Sequence, residues 1–127
     1  GMNIPVDRRS RKSGHNAYLR SVEELQKGNS MVLFPEGTIP IDVPNMRRFK
    51  NGAFKLAIEE QVPIVPVTFT QNYKRLENGG FLKAPASPGL ALAIVHPAIE
   101  TKGMTEKDIV ALRDRVFDII QNAIPKR

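Results

Sequence analysis

Apolar positions along this chain follow two rhythms. Uninterrupted runs at 31–34, 63–69 and 90–96 are short, β-branched or aromatic, and read as buried strands; the short extended run at 4–7 reads the same way. Elsewhere apolar residues recur at helical spacing. Ala17, Leu19, Val22 and Leu25 predict a helix over 16–27, with Ser13 or Asn16 as its cap and Gly28-Asn29 as its stop. Phe54, Ala57 and Ile58 predict a shorter helix over 52–61. Thr105 and Asp108 have the spacing of a capping box. After them Ile109, Leu112, Val116, Ile119 and Ala123 mark one helical face, closed by Pro125. Loops are expected at 8–14, where the chain is basic, at 39–51, with two prolines and three basic residues, and at 71–89, rich in Gly and polar residues.

The element order, strand–helix–strand–helix–strand–strand–helix, predicts an α/β fold. The alternation in its first half implies βαβ units, and so a mixed, partly parallel sheet flanked by helices. Ligands of such sheets bind outside the carboxyl ends of the strands. Here that places attention on the turn after Phe34.

A length of 127 residues suits one domain with one core, and no apolar run approaches the ~20 residues that span a bilayer. There is no cysteine and only two histidines, which argues against disulfides, thiol chemistry and a dedicated metal site. Gly1 before Met2 reads as a residue left by tag removal, and the strand-like start at 3–6 reads as the beginning of an excised fragment. The net charge of +6 favours an anionic partner: phosphate, an acidic lipid surface or nucleic acid. Low aromatic content (6%) and the lack of any recognition signature weigh against nucleic acid. The cations cluster at Arg8, Arg9, Arg11 and Lys12, and again at Arg47, Arg48, Lys50 and Lys55, on either side of the turn in sequence.

The turn itself is Pro35-Glu36-Gly37-Thr38. Proline removes a donor and restricts φ, while glycine permits positive φ and close backbone approach. Glu36 and Thr38 would then face one ligand space, the carboxylate accepting from a hydroxyl and the threonine and backbone N–H groups meeting a phosphate. By itself such a turn is also an ordinary strand ending with a solvated glutamate.

Its surroundings change that balance. "FPEGTIP" at 34–40, "IPVDRR" at 4–9, "VPIVPVTF" at 62–69, "FKNGAF" at 49–54 and "HPAIET" at 96–101 occur together in one chain. In their order along the chain they resemble the ordered blocks of the lysophospholipid acyltransferase family, typified by 1-acylglycerol-3-phosphate acyltransferases. The resemblance covers nearly the whole chain. It implies a glycerol-3-phosphate acyltransferase-like α/β fold, N-terminally truncated, with residues 2–127 forming the C-terminal part of a single acyltransferase domain. It also implies an activity of phospholipid biosynthesis: transfer of a fatty acyl group from acyl-CoA or acyl-ACP, as co-substrate, to a lysophosphatidic acid-like acceptor, with no cofactor. By matching position, acceptor binding would fall to Arg8, Glu36, Gly37 and Thr38, with Lys50 as a further phosphate ligand. The block at 62–69 would be structural or would line the acyl site.

The chain departs from the family pattern twice. Where FPEGT is usually followed by arginine it has Ile39, so a bidentate phosphate ligand is missing unless Arg47 or Arg48 supplies the charge. The block NHxxxxD is also missing. In the family its histidine is the general base on the acceptor hydroxyl and its aspartate orients the imidazole. Five residues on from His15 stands Arg20, and five on from His96 stands Thr101, so neither histidine fits. His15 is expected at the surface near a helix start and His96 as a structural or solvated strand-end residue. No catalytic residue is therefore assigned in this chain, and its own transferase activity is expected to be negligible, since loss of a general base alone costs ~10²–10⁴-fold. Exposed apolar surface and self-association are expected consequences of the missing block. The working location would be the cytoplasmic face of the membrane, peripheral or anchored by a preceding segment. The alternative from another class is a non-catalytic module binding phosphate or anionic lipid.

Overall fold

Thr105 begins the most sharply defined element. Its backbone N–H donates to Asp108 Oδ2 at 2.8 Å and its side chain accepts from the Asp108 backbone in return, a complete capping box. A single 3-10 turn over Glu106–Asp108 leads into a helix over Ile109–Ala123. The structure, a computed structural model, describes residues 3–37, 45–72 and 89–125. Within them, in chain order, are α1 (Arg11–Gln26), α2 (Gly52–Glu59), β1 (Val67–Phe69), β2 (Ala93–Val95) and α3 (Ile109–Ala123).

The helical face expected on α3 is the one that packs. Leu112 and Val116 are buried against Phe49, Phe54, Ile58 and Ile99, with Ile109, Phe117, Ile119 and Ile120 partly buried at the margin. The core therefore lies between α2, α3 and the residues leading into α2. Phe49 stacks on Phe54 at 6.2 Å between ring centroids and receives the edge of Phe117 at 5.1 Å.

Helix α1 starts five residues before the expected position 16. The cap is Ser10, whose side chain accepts from the Ser13 N–H at 3.2 Å, while Ser13 Oγ accepts from Asp7 N at 2.8 Å. The first turn is polar and solvent-facing, so no apolar period marks it in the sequence. The buried residues are Ala17 and Ser21, one turn apart; Leu19, expected on the inner face, is exposed. Polar contacts tie α1 to α2. The Tyr18 hydroxyl donates to Glu59, Lys55 lies 5.8 Å from the centre of the Tyr18 ring, and Gln26 reaches Glu60 at 3.4 Å.

The block at 62–69 pairs antiparallel with residues 92–99. Val67 faces Val95, Thr68 faces Ile94 and Phe69 faces Ala93. Ile64 and Ile99 exchange both backbone bonds, at 2.9 and 2.8 Å. Pro66 can accept from His96 N (2.9 Å) but has no N–H to return, which is why the ladder breaks into a short strand and a bridge. Thr68, fully buried, lies 2.8 Å from His96 Nε2. His96 thus has the structural role expected of it, and His15, in the first turns of α1, is exposed.

The sheet differs from expectation in two respects. The pairing is antiparallel, and no parallel pair occurs among the described residues. Residues 4–7 and 31–34 run outside any assigned strand. Apolarity nominates a strand, but a strand exists only when a neighbour shares its N–H and C=O groups. No ladder partner meets these segments among the described residues. Their side chains stand correspondingly open, Val32 at 81% and Phe34 at 75% exposure. Val65, Val67 and Phe69 are likewise exposed, so the 62–69 block is not a closed core strand here.

Candidate functional site

Phe34 and Gly37 close a turn, with Gly37 N donating to the Phe34 carbonyl at 3.2 Å and Pro35 at the second position, where its fixed φ suits the turn. Gly37 has φ +71°, in the region that disfavours any residue with a Cβ. The glycine also makes room. A Cβ there would stand 3.0 Å from Lys50 Nζ and 3.1 Å from its Cε, so the lysine side chain lies directly across the Gly37 backbone.

Two further bonds fasten the basic loop to this turn. Lys50 N donates to the Pro35 carbonyl at 2.9 Å, and Arg47 N donates to Glu36 Oε2 at 2.9 Å. Phe49, between them, is buried in the core, while Arg47, Arg48 and Lys50 are exposed, the Lys50 side chain against Gly37. Among the described residues none of these three cations forms an ion pair with a carboxylate, unlike Lys27, Lys55 and Arg113. Excess positive side-chain charge held beside a glycine turn is an arrangement suited to a phosphate.

Glu36, Gly37 and Lys50, expected at the site, are therefore together. Arg8 is exposed in the turn before α1, and no hydrogen bond or ion pair joins it to residues 34–37 among the described residues. Thr38 and Ile39 lie outside the described residues. Of the two arginines expected to substitute for the missing one, Arg47 is joined to the turn by its backbone N–H, and both side chains are exposed. One signal for this was available, the spacing of Arg47 and Lys50 around the apolar Phe49. Among the described residues no group of histidine, aspartate and glutamate is arranged to hold a metal ion.

The structure thus presents a glycine turn carrying a carboxylate, fastened to a cationic loop on an α/β frame. The chain belongs to the acyltransferase family, whose model, described as Acyltransferase, matches residues 1–70. It is 38% identical over 86 residues to 1-acyl-sn-glycerol-3-phosphate acyltransferase alpha of Mus musculus, a match covering 66% of this chain and 28% of that protein. It is 31% identical over 126 residues to 1-acyl-sn-glycerol-3-phosphate acyltransferase of Borreliella burgdorferi, covering 98% of this chain and 46% of that protein. Its fold resembles the crystal structure of the 1-acyl-sn-glycerophosphate (LPA) acyltransferase PlsC from Thermotoga maritima, with a TM-score of 0.70 and 26% identity over 84% of this chain and 42% of that one. The chain thus spans less than half the length of each of these relatives.

Proposed function

We propose that this chain forms the acceptor-binding part of a 1-acyl-sn-glycerol-3-phosphate acyltransferase of phospholipid biosynthesis. The observation that carries this reading is the double fastening of the Glu36 turn to the Arg47–Lys50 segment: the Arg47 and Lys50 N–H groups donate to the Glu36 carboxylate and the Pro35 carbonyl, each at 2.9 Å. Lys50, lying over Gly37, and Arg47 hold the phosphate of a lysophosphatidic acid; Arg47 takes the part of the arginine that Ile39 replaces. Glu36 gives one carboxylate oxygen to the Arg47 N–H and offers the other to a glycerol hydroxyl. Thr38 and Arg8 complete the phosphate and glycerol contacts when acceptor is bound.

The acceptor hydroxyl attacks the carbonyl of an acyl-CoA or acyl-ACP thioester. The new ester bond forms as the C–S bond breaks, the hydroxyl proton passes to a base, and the thiol leaves. The sequence carries no NHxxxxD block to supply that base, so the chain binds acceptor without turning it over. The reaction belongs at the cytoplasmic face of the membrane, where the amphiphilic acceptor resides. Among the described residues no helix is long and apolar enough to cross a membrane. Exposed Arg8, Arg9, Arg11 and Lys12 add attraction to anionic lipid, ~1 kcal/mol for each well-placed cation.

Titration with lysophosphatidic acid or sn-glycerol 3-phosphate, followed by the amide signals of Gly37, Arg47 and Lys50, tests the reading. Those three should shift together, and glycerol without phosphate should leave them still. Unmoved signals at saturating glycerol phosphate would overturn it. The lack of an NHxxxxD block favours a second reading, a non-catalytic anionic-lipid module. That module would bind phosphatidylglycerol vesicles and remain indifferent to the soluble glycerol phosphate.

A further inference from the structure

Arg113 is buried, with 6% of its surface exposed, in a helix whose neighbouring buried residues are leucine and valine. A guanidinium held out of water is unfavourable unless its donors are satisfied. Its Nε and Nη2 meet the exposed carboxylate of Asp114 at 2.9 and 2.8 Å, which balances the charge within the helix itself. Its Nη1 does something else, donating to Asn51 Oδ1 at 2.9 Å. Asn51 immediately follows Lys50 and stands at the N-cap position of α2. Asparagine there ordinarily accepts from the first helical N–H groups. Here it makes no such side-chain bond, its oxygen being engaged by Arg113.

Two more contacts lie on the same stripe of α3. Phe117, one turn on, packs its edge against Phe49. Gln121, a further turn on, accepts from Met46 N at 3.3 Å. Positions 113, 117 and 121 recur every four residues, so they share one helical face. They meet residues 51, 49 and 46 in reverse order. The basic loop is thus gripped on one side by the Glu36 turn and on the other by a single row of α3 side chains.

We infer that Arg113 is a positioning residue for acceptor binding: through Asn51 it sets where Lys50 crosses Gly37, with Gln121 holding the other end of the loop at Met46. This rests on the acceptor reading above for its functional consequence, but the positional relation is measurable without ligand. In the intact chain, proton–proton contacts between the Lys50 ε-methylene and the Gly37 α-protons should be strong. They should weaken or vanish in Arg113→Met and in Asn51→Ala. Asn51 is exposed and its side chain does not cap α2, so Asn51→Ala, which removes only the acceptor of Arg113 Nη1, carries the test should Arg113→Met fail to fold. Affinity for sn-glycerol 3-phosphate should fall roughly tenfold in either variant, the scale for groups that act through a neighbour. In a Lys50→Ala background Arg113→Met should change affinity by less than about twofold, because its effect runs through the missing lysine. Equal losses in both backgrounds would mean general damage to the fold and would overturn the inference. So would an undisturbed Lys50–Gly37 contact in Asn51→Ala. If instead the contact behaves as stated but the unaltered chain ignores sn-glycerol 3-phosphate, the acceptor reading falls and the positional relation stands.

Discussion

Lys50 touches the Pro35–Gly37 turn twice, through its backbone N–H on the Pro35 carbonyl and through its side chain laid over Gly37. The first contact fixes where the residue starts and the second where its charge ends. A flexible cation is thereby held beside the turn before any ligand arrives, which lowers the ordering cost of binding.

Gly37→Ala tests the second contact. The substitution forces a Cβ into a backbone with φ +71° and to within 3.0 Å of the ammonium group. The backbone term is ~1–2 kcal/mol. The clash itself is with the mobile end of a side chain, so the lysine swings away and the fold survives. The expected outcome is a modest fall in melting temperature together with roughly tenfold weaker phosphate binding, about 1.4 kcal/mol. Calorimetry and titration of the same sample check both.

Glu36 accepts from the Arg47 N–H and, in the proposed function, also meets a glycerol hydroxyl; Glu36→Gln separates the two. Glutamine keeps a carbonyl oxygen for the Arg47 N–H, now at 2.9 Å from the carboxylate, and so keeps the loop in place. Its stability should stay within about 0.5 kcal/mol of the parent, as for most surface changes. Glu36→Ala removes the acceptor and should lose ~1–2 kcal/mol, since the bond is charge-assisted but half-exposed. If the carboxylate also takes a glycerol hydroxyl, Glu36→Gln lowers affinity for glycerol phosphate without lowering the denaturation midpoint. Equal affinity in Glu36→Gln and the parent would confine Glu36 to the scaffold.

What could be read from the sequence was what is local. The capping box at Thr105 and the repeat from Ile109 are written within a few residues of each other, and α3 forms as they dictate. Glu36, Gly37 and Lys50 were legible as motif residues. Their meeting was not, because it runs through the backbone of Lys50 and Pro35, and any residue there has the same N–H or C=O. The strands expected at 4–7 and 31–34 find no ladder partner among the described residues for the same reason, a strand depending on a neighbour and not on its own apolarity. Arg113 was invisible because an arginine in a helix reads as surface. Its one clue is a place between Leu112 and Val116, on the edge of the apolar stripe.

Phe49 is the keel of the basic loop, its ring between Phe54 and Phe117. At 4% exposure in the main cluster, Phe49→Ala should cost about 3–5 kcal/mol. Phe49→Leu keeps most of the apolar volume but loses the ring contacts, and should cost about 1–2 kcal/mol. Urea denaturation gives both values. A near-neutral Phe49→Ala would mean that the loop is not seated in the core.

Thr101 closes the far end of α2. Fully buried, its hydroxyl lies 2.8 Å from the Val62 carbonyl and 3.2 Å from that of Ala57. Thr101→Val preserves the shape and leaves the Val62 carbonyl short of a donor, while the Ala57 carbonyl keeps the Val62 N–H at 3.0 Å, a loss of ~1–3 kcal/mol. Thr101→Ser restores the hydroxyl and should recover most of it. A valine variant as stable as the parent would show that another donor satisfies the Val62 carbonyl.

Tyr18 makes the attachment of α1 to α2 sensitive to alkali. Burial first, then the hydrogen bond it donates to Glu59 and the charges of Glu59 and Glu60, raise the phenol above its ordinary 10.0. In the unfolded chain the phenol ionises near that ordinary value, while in the folded chain it keeps its proton. The unfolded state therefore binds fewer protons above pH 10, and stability falls as pH rises from there. Below pH 10 the contribution is fully present and pH-independent. Tyr18→Phe removes the proton difference, so its stability should be lower than the parent's at pH 8 but should decline less steeply between pH 10 and 11. Denaturation midpoints across that interval decide the matter: parallel curves for the two chains would mean that the Tyr18–Glu59 contact does not form in solution.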